Sequence, residues 1–125
     1  MICFGTSFKI GVSPFHRCIM LSDPAKNGGK VVLVRVTTDD GTWPDRDCLL
    51  TPSDWCELDH PSTVAYSTCK YGLVGNAIEE AIQRGKFNLI SSPPTEVLKK
   101  IISAARNAEG MPLGAKRLLA DETTM

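Results

Sequence analysis

The sequence holds no surplus of either charge. Lys plus Arg number 14 and Asp plus Glu number 14, for a formal net charge of zero. Proteins that coat nucleic acid over a wide footprint usually carry a basic excess, so the balance counts against a large footprint but not against a small local basic site. No apolar run approaches the roughly 18 residues that cross a bilayer. The opening residues interrupt their apolar stretches with Gly5, Lys9, Gly11 and Pro14. They lack the charged start, continuous apolar core and small-residue cleavage site of a secretory signal. The expectation is a cytoplasmic chain that does not enter a membrane. No cysteine pair stands in CxxC spacing, and Cys3, Cys18, Cys48, Cys56 and Cys69 are odd in number. Reduced thiols are the default for such a set. Cys48, Cys56 and His60 come nearest to a zinc set, but their spacing fits no zinc pattern and a second ligand pair is missing. Neither a metal nor another cofactor is expected, and a small metal-binding protein is the weakest of three function classes. No repeat and no low-complexity tract is visible.

What the sequence does hold is enough for one core. Its 125 residues are 42% apolar, which fits a single domain over 1–125. The first half, 1–72, reads as strands. His16–Ser22 is a short apolar run stopped by Asp23-Pro24 and Asn27-Gly28-Gly29, strong turn chemistry. Lys30–Thr38 is β-branched and long enough for a central strand. Asp47–Thr51 is a weaker strand, and Thr63–Cys69 alternates as the next one. Short strands separated by turns predict a small antiparallel barrel within an α+β, mainly β, fold. The second portion, 74–120, changes period. Val74, Ala77, Ile78, Ala81 and Ile82 share one helix face, with Asn76 as cap and Gly85 as stop. Lys86–Ile90 reads as an extended link. Ser92 before Pro93 opens a second helix, with Val97, Leu98, Ile101, Ile102, Ala105 and Ala108 on its apolar face. Residues 112–120 hold one more short turn of helix.

Two polar groupings offer chemistry. A hairpin through the 24–29 turn sets the start of one strand beside the end of the next, bringing Arg17, beside His16, toward Thr37 and Thr38. A guanidinium fork and hydroxyls can hold a phosphodiester and offset its charge in a transition state. The residues alone favour a solvated strand end and ordinary β formers, because the contact depends on register. Asp59-His60-Pro61-Ser62 is the other grouping. His60 titrates near neutrality and can move protons, and the segment also reads as a plain turn. Trp43 and Trp55 stack on bases if exposed and plug the core if not.

These pieces carry a family resemblance. His16-Arg17 followed by Cys18-Ile19-Met20-Leu21-Ser22 resembles the His-Arg-Pro, hydrophobic, Ser stretch of MazF/PemK-like toxins. Val34-Arg35-Val36-Thr37-Thr38 resembles the strand that ends there in a functional Thr. Cys48-Leu49-Leu50, Asp59-His60-Pro61-Ser62 and Val64-Ala65-Tyr66 are similar to a PemK-like branch, and so is the tail through Lys116-Arg117. The chain departs from the pattern where Phe4–Val12 replaces a Gly-Asp opening and where Cys18 follows the Arg. The resemblance implies an SH3-like barrel with added helices, usually a homodimer, and cleavage of single-stranded RNA by the 2′-hydroxyl without a metal. It implies a cognate antitoxin as partner, Arg17 as phosphate-stabilising residue and Thr37 or Thr38 as its hydroxyl partner. Beside the resemblance, His16, His60 and Lys70 are the expected substrate-binding residues. The competing class is a noncatalytic barrel module that binds a protein or peptide.

Overall fold

A computed structural model describes residues 2–11 and 16–120. The elements run β1 (Ser7–Ile10), β2 (His16–Met20), β3 (Lys30–Thr38), β4 (Leu49–Leu50), β5 (Ser62–Val74), α1 (Gly75–Gln83), β6 (Phe87–Ile90), α2 (Thr95–Asn107) and α3 (Leu113–Lys116). The strands form a six-stranded antiparallel sheet in the order β4-β5-β3-β2-β1-β6. The fold is α+β and mainly sheet. Among the described strands β4 and β6 are opposite edges that do not pair, so the sheet is open and not the closed barrel the short strands predicted. Register slips are instead concentrated in β5. β3 advances from Leu33 to Arg35 while β5 runs from Lys70 back to Ala65, and a second slip falls at Gly72, whose φ is +79°. Such bulges bend a strand and raise its twist.

β3 is buried on both sides over Val31–Val34, as a central strand demands. Alternation sends Val32, Val34 and Val36 to one face, with Ile19, Leu50, Val64 and Tyr66. There α2 adds Leu98, Ile101 and Ala105, and the 51–58 turn adds Trp55 and Leu58. The Tyr66 hydroxyl donates to the Ile101 carbonyl at 2.6 Å, and the Trp55 indole donates to the Ser91 carbonyl at 2.8 Å. Trp55 therefore plugs this core. Val31 and Leu33 go to the other face with Phe8, Cys18 and Met20, covered by Ile78 and Ile82 of α1. The two long helices lie on opposite faces of the sheet, each over its own core.

Helix ends follow the turn chemistry in part. Gly85 ends α1 at φ +75°, and the Lys86 amide closes back on the Ala81 carbonyl at 2.9 Å. Ser92 does not cap α2: the cap position is Pro94, with no side-chain cap bond. The link predicted over 86–90 pairs with β1 and is strand β6, and β1 itself went unseen in the sequence reading.

Candidate functional site

The register of the β2–β3 hairpin decides which side chains meet. Arg17 lies opposite Val36, and Cys18 lies opposite Arg35. Cross-strand partners share a face and neighbours along a strand do not. Arg17 is therefore on the α2 face, with Lys9 as its other cross-strand partner. His16, Cys18 and Arg35 are on the α1 face. Lys70, opposite Leu33, joins them there. Thr37 alternates onto that face as well, opposite Thr63, while Thr38 returns to the Arg17 face opposite Ser62. The predicted site is thus divided by the sheet: Arg17 and Thr38 on one side, His16, Thr37 and Lys70 on the other.

On the Arg17 side, the Nη2 atom stands 3.5 Å from Asp59 Oδ2, and Lys9 Nζ stands 3.8 Å from Glu57 Oε1. These ion pairs tie the loop that follows Trp55 to β1 and β2. Arg17 Nε is buried without a hydrogen-bond partner among the described residues. His60, in the same loop, is exposed, and its carbonyl accepts the Ser62 hydroxyl at 2.9 Å, a turn contact. Cys56 is exposed, whereas Cys48 is buried and burial pushes its thiol pKa up, so the three candidate zinc ligands have unlike surroundings.

On the other side, His16, Arg35, Thr68 and Lys70 line a concavity of about 200 Å³ with Ile10, Cys18, Leu33 and Val34. The charged lining groups, Arg35 and Lys70, are cations, and no carboxylate is among the described lining residues. Arg35 Nη2 lies 2.8 Å from His16 Nδ1. The Thr68 hydroxyl donates to the Ala65 carbonyl at 2.7 Å, an anchor inside the β5 bulge. Burial pushes the Cys18 thiol up to about 11, with the Arg35 charge pulling the other way, so this part of the floor stays uncharged. Two positive charges over an uncharged floor can receive an anion, and a guanidinium beside an ammonium suits phosphate oxygens. A larger cavity of about 280 Å³ lies between α1 and β6, but its carboxylate, Glu79, already accepts the Ile2 amide at 3.0 Å. That cavity contains none of the candidate site residues His16, Arg17, Thr37, Thr38, His60 and Lys70.

Arg35 is the residue the sequence reading missed as a site group. Its signal was present, since alternation along Lys30–Thr38 puts it with Leu33 and Thr37, and the hairpin sets it beside His16. The deep slip in β5 that carries Lys70 to the same place left no such signal. A second overlooked group is Asp45, 3% exposed, which accepts both the Ser67 amide and the Ser67 hydroxyl. It moors the 39–48 loop to the bulge behind the concavity. No protein-family model, no curated protein and no solved structure matches the chain.

Proposed function

We propose that the domain is a toxin-like endoribonuclease that cuts single-stranded RNA by attack of the ribose 2′-hydroxyl on the adjacent phosphorus. The observation that carries this reading is the convergence of His16, Arg35 and Lys70 on one concavity with no described carboxylate lining it. RNA brings its own nucleophile. An O2′–P bond forms, the P–O5′ bond breaks, the 2′-hydroxyl gives up its proton, and the 5′ oxygen takes one. The protein's task is to hold the phosphate and offset the charge that grows on its oxygens, which preorganised donors do well. The small basic site agrees with zero net charge: it grips one phosphate rather than a long tract. The reading brings with it an SH3-like ancestry for the bent sheet, a cytoplasmic setting, a homodimer and an antitoxin protein as inhibitor.

The test is cleavage of a mixed single-stranded RNA pool in EDTA. Wild type is expected to cleave, and Arg35→Met to lose about 10²–10³ in rate, the usual cost of one charge donor. No cleavage by a folded wild-type protein under any condition would sink the enzyme reading.

One observation favours a noncatalytic binding module as second reading. β6 is an edge strand without charge or proline, and its Leu89 is 60% exposed. Exposed neutral edges accept a strand from a partner. The other edge is guarded: β4 has two residues, and Lys100 Nζ donates to the Leu49 carbonyl at 2.8 Å.

A further inference from the structure

We infer that Arg35 is a positioning residue for His16, and that the pair, with Lys70, forms a single receptor for a phosphate-type anion. This deepens the reading above by naming how its site recognises phosphate. A guanidinium carries N–H groups only and accepts nothing. At 2.8 Å the Arg35 Nη2–His16 Nδ1 contact is a proper hydrogen bond, so Nδ1 must be the acceptor. The tautomer with a proton on Nδ1 would aim one N–H at another. His16 is therefore neutral, with its proton on Nε2. That N–H lies across the ring from Arg35, on an exposed residue that lines the concavity.

Three consequences follow for recognition. His16 offers a donor, as do Lys70 and the N–H groups of Arg35 other than the one held by His16. The Thr68 hydroxyl is spent on the Ala65 carbonyl and leaves only lone pairs, and the Cys18 thiol is neutral. A ligand presenting several anionic oxygens satisfies this set, and a neutral or cationic ligand does not.

The test uses the intact chain and inorganic phosphate. The sequence has two histidines, so His60→Asn leaves His16 as the single imidazole. Long-range nitrogen–proton spectra at mildly alkaline pH report which ring nitrogen holds the proton. The expected result is the Nε2–H pattern, with an Nδ1 shift typical of a hydrogen-bonded acceptor. In Arg35→Met that shift moves to the value of unbonded imidazole, and phosphate affinity falls on the order of tenfold or more. Arg35→Lys keeps a charge on β3 but not the planar fork, and is expected to regain part of the affinity without restoring the shift. An Nδ1–H pattern in wild type, or an Nδ1 shift and phosphate affinity unchanged in both folded variants, would overturn the inference. Correct spectra with no RNA cleavage would instead remove the RNase reading and leave this one standing.

Discussion

Each face of the sheet carries one arginine of the β2–β3 hairpin, in unlike surroundings. Arg17 and Arg35 both sit on inner strands near one end of the β2–β3 hairpin, and both are partly buried. Arg17 faces Asp59, which is 78% exposed, beneath a loop that brings its own carboxylates. Arg35 faces an imidazole and an ammonium across an open concavity. A cation beside carboxylates is largely spent on structure, whereas a cation beside other donors waits for an anion. The difference between the faces comes from the loops laid over them. The acidic loop that follows Trp55 sets Glu57 and Asp59 against Lys9 and Arg17 on one face, and no α1 residue is among the described residues lining the concavity on the other.

The largest expected effect sets core against core. Ile101 lies at the centre of the larger cluster and is fully buried, and Ile101→Ala is expected to cost about 2–5 kcal/mol. Ile78→Ala in the smaller α1 core, where the helix face is only partly covered, is expected near the lower end of that range. Chemical denaturation of both variants checks this, and equal losses would mean the two faces are equally well packed.

Next comes the mooring of the bulge. Asp45→Asn keeps the shape but weakens a buried charged acceptor, and a loss of about 1–3 kcal/mol is expected. Because Ser67 and Thr68 belong to the same bulge, phosphate binding at Lys70 is expected to weaken with it. A destabilised protein with unchanged phosphate affinity would separate the bulge from the site.

A smaller effect is pH dependence. The Cys18 thiol has its folded pKa raised from 9.0 to about 11, because burial disfavours the thiolate. A raised thiol pKa means the folded state holds its proton longer than the unfolded chain does. The resulting stability is fully present below the unfolded value near 9 and is lost as pH rises toward about 11. Denaturation midpoints measured across that window are expected to fall less steeply in Cys18→Ala than in wild type. Identical slopes would argue that this thiol is not buried as described.

The smallest effect belongs to the exposed ion pair on the Arg17 side. Asp59→Asn is expected to change stability by less than about 1 kcal/mol, since surface pairs contribute little. A larger loss would show that the loop depends on this contact.

Much of this was legible in the sequence. Lys30–Thr38 is strand β3 at the predicted boundaries, and both long helices fall within a few residues of their apolar periods. Glycine and proline punctuation did most of that work. What was not legible were strands whose structure comes from their partners. Ser7–Ile10 and Phe87–Ile90 are four residues each, too short for a pattern, and exist because they pair with one another and β1 with β2. The candidate site was half legible for a related reason. Which residues are polar was plain, but their face depends on register, and a one-residue change in pairing moves a side chain across the sheet. His16 and Arg17 are neighbours in sequence and belong to different surfaces. Lys70 reaches the concavity only because β5 carries extra residues between Ala65 and Lys70, and a bulge of that size has no short sequence signature.

On the RNase reading the functional surface is the His16–Arg35–Lys70 face and not the Arg17 face. The most direct test is a matched pair, Arg35→Met and Arg17→Met, each removing one guanidinium from opposite sides of the same hairpin. Both are compared with wild type in RNA cleavage in EDTA at equal circular dichroism. The expected result is a loss of about 10²–10³ for Arg35→Met and a change within about fivefold for Arg17→Met. The reverse order, with Arg17→Met inactive and Arg35→Met near wild type, would contradict it and return the catalytic role to Arg17.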